Sequence, residues 1–396
     1  MRLLFLTETI PYPLDSGGRI KTYNTLRILA REHEVQCEAL VRDAAQLKYQ
    51  GELAGVCAGV SLHHVERRRT DDVKTALVSS VTGAPFVVRR HFHGHVMERL
   101  LDRIRRERFD AVYCDHLSML EYGRRLGLPT VLDAHNVEFE IVRRHAKTLG
   151  SSALRLFAEM EWRRLERYER RWYPACRLIF AVSDVDAATI RQFAGPGVPV
   201  VTVPIAVDLG RIPVRREFVK EPEVLFVGGL NWPPNADAVE YFIKDIFPAV
   251  REAVPSVRLT VVGKGPEAIS RPLAQAPGVR LVGHVDDVEQ YFSGSRVMVV
   301  PIRSGSGMRV KILDGLAREL ATVTTSIGCE GIDALPETHI LVGDTPAEFA
   351  RHVTRALCDD RLTAAIARSG RELITEKYDV PAIARRILDT FRTAFA

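Results

Sequence analysis

Short apolar runs alternate with stretches of helical periodicity along most of the chain. We interpret five such runs in the first half as strands, at residues 3–7, 35–40, 111–114, 130–133 and 178–182. The stretch 18–32 between the first two runs is predicted to be a helix, because these residues recur at helical spacing: Ile20, Tyr23, Leu26 and Leu29. Strands that alternate with helices predict right-handed βαβ units and a parallel sheet.

The region 139–173 is charge-dense and predicted to be helical. An apolar stripe runs through it at spacings that return to one helix face: Trp162, Leu165, Tyr168 and Trp172. We expect this stripe to pack inward while the neighbouring arginines face water.

The periodicity lapses at residues 200–223, which are rich in proline and charge and are predicted to form a linker. A second alternating series follows. Its predicted strands are residues 223–227, 257–262, 279–282, 296–300 and 322–325.

The two series predict an α/β protein with two doubly wound, Rossmann-like domains that face each other across a cleft. With 396 residues, the chain is too long for one ordinary core. We expect the first domain to take residues 1–205 together with a terminal crossover helix at about 380–396, and the second to take residues 206–379. Ligands of such sheets bind outside the carboxyl ends of the strands.

Composition narrows the class of protein. Hydrophobic residues make up 46% and charged residues 27%, values typical of a globular chain that is neither disordered nor membrane-spanning. The net charge of +5 is too mild to indicate nucleic acid, and we expect no nucleic-acid partner. Arginine pairs crowd the first half, for example Arg163-Arg164 and Arg170-Arg171. They suit an anionic acceptor or a peripheral contact with a membrane, or else form solvated helix faces.

Cysteine usage and the N-terminus bear on localisation. Six cysteines show neither metal spacing nor a paired framework, which favours a reducing cytoplasm. The apolar run after Met1 is too short for a signal peptide. We therefore expect a cytoplasmic protein, at most peripheral to the inner face of the membrane.

A glycine- and serine-rich loop with three cations lies at residues 299–314, after a strand-like run. Backbone N–H groups of such a turn, next to a helix N-terminus, form an anion site. Arg303, Arg309 and Lys311 can neutralise a diphosphate without a metal, and Asp314 can accept bonds from ribose hydroxyls. The loop matches neither the Walker pattern nor the dinucleotide fingerprint, and a plain turn with a solvated basic face is the alternative.

Two histidines follow predicted strands of the first domain. His116 and His135 lie at carboxyl ends, where a ligand would bind, although a histidine there is often a structural hydrogen-bonding group. Asn136 and Glu138 are candidates for orienting the second histidine. A further histidine-rich run at 89–95 has the spacing of a strand, and its arginines would repel a metal ion. It is interpreted as an acceptor or membrane contact, or a solvated surface.

The order and spacing of eight segments resemble the GT-B glycosyltransferases, close to glycosyltransferase family four, the group 1 glycosyl transferases. The segments are PYPLDSGGRI at 11–20, DAHNVE at 133–138, VSD at 182–184, FVGGLNWPPN at 226–235, VVGKGP at 261–266, VGH at 282–284, PIRSGSG at 301–307 and GCEG at 328–331.

The resemblance implies that the second domain binds a nucleotide-sugar donor and the first a glycan, lipid-linked or small-molecule acceptor. It assigns donor binding to Gly17, Gly18, Gly229, Gly283, His284, Arg303, Ser304, Gly305, Ser306, Gly307, Met308, Arg309, Lys311 and Asp314. It assigns catalytic roles to His116, His135, Arg309 and Lys311. Transfer would retain the anomeric configuration by front-face attack, without a metal or a cofactor.

The chain departs from the family pattern at several positions. The two acidic residues that members usually carry fall on Ser306 and Asp314, and two usual basic residues align with Gly229 and Asn235. The segment 318–320, Arg-Glu-Leu, stands where members usually have a glycine turn. Two other classes therefore stay open beside a transferase of polysaccharide, glycolipid or secondary-metabolite synthesis. These are a catalytically degenerate binding subunit and a sugar-nucleotide epimerase.

Overall fold

The chain divides into two units, each built on one parallel β-sheet. Unit 1 comprises residues 1–206 and 383–396, and unit 2 comprises residues 207–382. The computed structural model describes residues 1–66, 69–213, 219–305 and 307–396.

Unit 1 carries a seven-stranded sheet in the order β3-β2-β1-β4-β5-β6-β7, with every neighbouring pair parallel. Its elements are β1 (Arg2–Thr7), α1 (Gly17–Leu29), β2 (Glu34–Val41), α2 (Gln50–Ala54), β3 (Gly59–His64), α3 (Arg69–Thr82), α4 (Phe86–His91), α5 (Gly94–Arg106), β4 (Ala111–Asp115), α6 (Leu120–Leu126), β5 (Thr130–Ala134), α7 (Glu138–Thr148), α8 (Ser152–Trp172), β6 (Leu178–Ala181), α9 (Asp184–Ala194) and β7 (Val200–Thr202). Every residue of β4, β5 and β6 is buried, which explains why these strands read as continuous apolar runs.

Unit 2 carries a six-stranded parallel sheet in the order β10-β9-β8-β11-β12-β13. Its elements are β8 (Glu223–Val227), α10 (Pro233–Tyr241), α11 (Phe247–Ala253), β9 (Arg258–Val262), α12 (Glu267–Ala274), β10 (Val279–Gly283), α13 (Glu289–Ser293), β11 (Val297–Val300), α14 (Val310–Ala317), β12 (Ala321–Thr324), β13 (Leu341–Val342), α15 (Pro346–Cys358) and α16 (Asp360–Leu373).

The last helix, α17 (Val380–Phe395), returns the chain to unit 1. Pro381 lies in its first turn, where a missing N–H costs nothing. Phe391, 1% exposed, has its ring centroid 6.2 Å from that of Tyr113 and 6.0 Å from that of Phe180. The C-terminal helix thus completes the core of the first unit. Within the described part of the chain, the helices are all too short or too polar to cross a bilayer.

Three features differ from the sequence prediction. The helical region 139–173 is two helices, α7 and α8, because Gly150 and two serines interrupt it. The expected linker contains β7, which pairs with β6 inside unit 1. The histidine-rich run 89–95 spans the end of α4 and the start of α5, so its strand-like spacing was misleading.

Both sheets reverse their strand order at one point. Successive strands of unit 1 run outward from β1 to β3 and then resume at β4 on the other side of β1. In unit 2 the same reversal falls between β8 and β11. A crevice forms at such a switch point, outside the carboxyl ends of the two strands, and it is the usual ligand site of doubly wound sheets.

Helix α14, which follows the switch-point strand β11, ends in a Schellman motif without glycine. The N–H of Leu320 donates to Gly315 O and that of Glu319 to Leu316 O. Glu319 itself is left-handed, with φ of 53°. The left-handed turn that glycine usually forms at a helix C-terminus is therefore formed here by a glutamate.

We predict that Glu319→Gly stabilises the protein by about 0.5–1 kcal/mol, because relief of the left-handed strain exceeds the added freedom of the unfolded chain. Urea denaturation measures the change. The matched control is Glu372→Gly within α16, which should lower the free energy of unfolding by about 1 kcal/mol. Destabilisation by both changes would contradict the strain argument.

Candidate functional site

A buried carboxylate, Asp115, organises the switch point of unit 1. It ends β4, is 0% exposed, and accepts hydrogen bonds from the Thr7 and Thr22 hydroxyls, both at 2.8 Å. The ring nitrogens His116 Nδ1 and His135 Nε2 lie 3.0 and 2.8 Å from its oxygens. Since an ionised carboxylate only accepts, both rings donate to it. One side chain thereby joins β1, α1, β4 and the end of β5.

The two histidines carry different charges. Burial by itself would lower the pKa of His116, but the carboxylates of Asp115 and Glu8 outweigh it and raise this pKa to about 10. Burial and the neighbouring His116 cation lower the pKa of His135. The pKa of Asp115 stays well below its usual range despite burial, because both imidazoles face it. Near neutral pH, His116 is an imidazolium and His135 a neutral ring, with centroids 3.7 Å apart.

The backbone at His116 is strained. Its φ of 78° and ψ of 153° lie in a region that is almost confined to glycine. A non-glycine residue there costs about 1–3 kcal/mol, and such residues cluster at functional sites. The ion pair with Asp115 holds the ring in place against this strain.

A second buried pair fixes helix α1. The ammonium of Lys21, 2% exposed, bonds Asp133 on β5, and Tyr113 Oη donates to the same carboxylate at 2.8 Å. This pairing sets the start of α1, the predicted Gly17-Gly18 turn, beside His135. A Cβ at Gly18 would lie 4.0 Å from His135 Nδ1, the nitrogen that faces away from Asp115.

Two further carboxylates border the cluster. Glu8 follows β1 and accepts from Ser118 Oγ at 2.5 Å; its pKa is lowered because His116 and His91 outweigh burial. Glu138 is half-buried at the start of α7, and burial raises its pKa to about 7. Glu138 can therefore hold or release a proton near neutral pH.

The spacing of Asp115, His116 and His135 would also allow a metal, since one ligand atom of each lies within 4.8 Å of the others. The chemistry of the donor set fits a metal poorly. Four donors already occupy the carboxylate, and the imidazolium of His116 would have to lose its proton to become a ligand. The arrangement is better described as a hydrogen-bonded charge cluster.

In unit 2 the switch point between β8 and β11 is cationic. Lys311, in the first turn of α14, donates from Nζ to Asn235 Oδ1 at 2.7 Å and lies 4.4 Å from the centroid of the Phe226 ring. Burial, with the added charge of Arg309, lowers the pKa of Lys311 to about 7. A Cβ at Gly228 would press on the ends of the Lys311 and Asn235 side chains, so a larger residue there would displace the ammonium.

The predicted glycine-rich loop lies beside this lysine. Gly305 and Gly307 have φ of 110° and 81°, conformations that side chains disfavour. Arg309 precedes α14 and its guanidinium donates to Gly307 O. Ser306 lies outside the described residues.

Two predicted donor residues, Arg303 and Asp314, form ion pairs with other side chains of unit 2. Arg303 forms a 2.5 Å ion pair with Asp237 and covers the Tyr241 ring. Asp314 is half-buried, with its carboxylate 3.3 Å from Arg318 Nη1; burial raises its pKa although Arg318 opposes that shift.

The remaining predicted donor residues are dispersed. Gly283 and His284 end the edge strand β10, so β9 separates them from β8, and His284 is 74% exposed. Ser304 is exposed and Met308 half-buried in the loop, while Gly229 O accepts from Asn235 Nδ2 at 2.9 Å. The structure therefore joins Lys311 and Gly229 through Asn235, pairs Arg303 with Asp237 on the same helix α10, and places Gly283 one strand from β8.

Sequence reasoning missed the supporting residues. Asp115 and Asp133 precede the two predicted histidines by one and two positions, so their place at strand ends was a usable signal. Lys21 and Thr22 gave no such signal, because helix α1 brings them to Asp133 and Asp115 from a distant part of the sequence.

Comparison with known proteins gives two family matches. Residues 34–211 match the model of Glycosyltransferase Family 4, and residues 221–359 that of Glycosyl transferases group 1. The chain is 22% identical to an uncharacterized 44.6 kDa protein in the cps region of Klebsiella pneumoniae, over 96% of each chain. It is 23% identical to a phosphatidyl-myo-inositol mannosyltransferase of Mycobacterium leprae, over 57% of this chain and 61% of that one.

A solved structure shares the fold. HepE of Anabaena, in complex with UDP and glucose, aligns over 99% of this chain and all of its own with a TM-score of 0.66 at 14% identity. The two parallel sheets of seven and six strands, each covered by helices, match this GT-B fold. The chain is a GT-B glycosyltransferase of the group 1 and family 4 type, as the two family matches show.

We predict that His116→Gly is more stable than His116→Ala by about 1–3 kcal/mol, because both lose the imidazolium and only glycine relieves the backbone strain. Urea denaturation of the two variants gives the difference directly. The same pair of changes at exposed His145, within helix α7, serves as the control and should favour alanine by about 1 kcal/mol. Equal stability of the two His116 variants would refute the strain.

Proposed function

We propose that the protein transfers a sugar from a nucleoside diphosphate sugar to a glycan, lipid-linked or small-molecule acceptor, with retention and without a metal. The observation that carries the proposal is the pair of clusters at the two switch points, cationic in unit 2 and acid-base in unit 1. HepE, whose structure contains UDP and glucose, has the same fold. Unit 2 would bind the donor and unit 1 the acceptor.

In the proposed reaction, Lys311 and Arg309 stabilise the diphosphate as it leaves. Both cations project from the start of α14, beside N–H groups of the helix terminus that also favour an anion. Asn235 is neutral, so it orients the Lys311 ammonium without cancelling its charge. Fixed charges aimed at developing negative charge are usually the largest contribution to catalysis. The acceptor proton would pass to the leaving diphosphate in a front-face attack.

The histidine pair of unit 1 has two separate roles in this proposal. The His116 imidazolium donates to a substrate oxygen, and its charge is set by Asp115 and Glu8. Neutral His135 donates Nε2–H to Asp115, which leaves Nδ1 as an acceptor next to Gly18. The pair therefore offers one donor and one acceptor for a hydroxyl group.

A cytoplasmic protein with a peripheral membrane contact is part of the proposal. Three apolar side chains recur on α3 at intervals of four residues and are 61%, 64% and 89% exposed: Val73, Leu77 and Val81. An exposed apolar stripe on a helix is typical of an interfacial contact.

We predict that Arg309→Ala and Lys311→Ala each weaken UDP binding by about ten- to hundredfold, the loss of one charge-assisted hydrogen bond. Calorimetric titration with UDP measures this. Lys244→Ala, which removes a lysine 63% exposed and paired with Glu240, should change nothing. If neither site variant weakened binding, the diphosphate assignment would be wrong. Binding without turnover of any nucleotide-sugar would favour a degenerate binding subunit.

We predict that UDP affinity falls by up to about tenfold per pH unit between pH 7.5 and 9. Free Lys311, with its pKa lowered to about 7, is mostly neutral there, whereas a bound diphosphate would restore its proton. Lys311→Arg should abolish the slope, because guanidinium stays charged throughout this range. Calorimetric titrations with UDP at the two ends of this pH range, in the unmodified protein and in Lys311→Arg, measure the two slopes. An identical slope in the arginine variant would assign the proton to another group.

We predict full transfer activity in the presence of a chelator, since Arg309 and Lys311 replace a metal as the counter-charge. Turnover with and without excess EDTA, after dialysis against the chelator, gives the answer. Activity that returns only on adding a divalent cation would overturn the mechanism.

A further inference from the structure

A second basic region lies in unit 1, in the helical layer rather than at the strand ends. A cavity of about 640 Å³ opens between α4, α6 and α8 and the turn at 82–85. Its lining includes six arginines: Arg89, Arg124, Arg125, Arg164, Arg167 and Arg171. Glu121 is the single acidic residue among the described residues that line it.

That carboxylate neutralises only part of the charge. Glu121 accepts from Arg124 Nε at 2.8 Å and from Arg125 Nη2 at 2.6 Å. Arg167 instead donates to the backbone carbonyl of Arg163, and Arg171 packs near the Trp172 ring. The wall therefore keeps a large excess of positive charge.

Arg164 is the strongest indication of a ligand. It is 8% exposed, and its Nη1 has no hydrogen-bond partner among the residues that the structure describes. The Glu161 carboxylate forms an ion pair with this nitrogen at 3.8 Å, which is beyond hydrogen-bond distance, and burial raises the pKa of Glu161. A buried guanidinium N–H without an acceptor costs about 1–3 kcal/mol or more, so an anion that enters the cavity would relieve that cost.

Aromatic side chains hold two further guanidinium groups of the cavity in place. Arg124 lies 4.4 Å from the Trp172 ring centroid and Arg125 4.6 Å from that of Phe92. Stacked guanidinium groups have lost much of their freedom before a ligand arrives, which reduces the entropy cost of binding. The same rings give the cavity an apolar wall suited to the face of a sugar or to a lipid chain.

We propose that this cavity is a binding site for a phosphate-bearing ligand, separate from the donor site of unit 2. Planar guanidinium groups match phosphate oxygens in pairs, and six of them suit a multiply charged group. The ligand chemistry is the same whether the phosphate belongs to a lipid headgroup or to a soluble phosphorylated saccharide.

The test titrates the whole protein with inorganic tripolyphosphate, with excess UDP present to fill the donor site. Arg164→Gln should weaken binding about tenfold, the loss of one charge-assisted hydrogen bond. Because Arg164 is buried, the exposed double variant Arg167→Gln/Arg171→Gln provides an independent measurement, and it decides alone if Arg164→Gln does not fold. The control Arg105→Gln/Arg211→Gln removes two charges at positions 72% and 64% exposed and should change binding less than twofold.

A second arm identifies the source of the phosphate. Sedimentation with phosphatidylglycerol vesicles, weakened by the same variants, would assign a lipid headgroup; dependence on these arginines with tripolyphosphate alone would assign a soluble ligand. Binding of both probes that is unaffected by the cavity variants, or reduced equally by the control, would overturn the proposal.

Discussion

A fully buried carboxylate must be compensated, and in unit 1 Asp115 is compensated by four donors from four different segments of the chain. Loss of any donor would leave part of a buried charge unsatisfied, at a cost of several kcal/mol. This requirement brings β1, α1, β4 and the residue after β5 to one point. It also contributes to the protonation of both histidines: with Glu8 it raises the pKa of His116, while burial and the His116 cation lower the pKa of His135.

In unit 2 a half-buried cation, Lys311, has no carboxylate among its described contacts. Lys311 meets a neutral amide at Asn235 and an aromatic face at Phe226. Its pKa falls to about 7 since the described contacts stabilise the ammonium only weakly against burial. A weakly stabilised ammonium such as that of Lys311 gains the most stabilisation when an anion binds beside it. By contrast, Arg303, which has a carboxylate partner in Asp237, has its charge already satisfied.

Departures from the family pattern become understandable from these contacts. Asn235, at a position where the resemblance implied a cation, accepts a hydrogen bond from Lys311 and orients its ammonium. Glu319 keeps the left-handed turn that glycine usually provides, because the Schellman bonds to Gly315 and Leu316 and the burial of Leu320 hold it.

Sequence alone determined the alternation of strands and helices, the two series and the strand-end positions of His116 and His135, because these features depend on local periodicity. It also located the glycine-rich loop, since positive φ at Gly305 and Gly307 is a local requirement. Short edge strands such as β13, with two residues, gave too little pattern to predict. Only the tertiary structure decided which polar groups meet: Thr7 and Asp115 are 108 residues apart, and Asn235 and Lys311 are 76 apart. The charge states of His116 and Lys311 and the arginine cavity follow from such meetings, because a pKa responds to burial and neighbours in space and not to position along the chain.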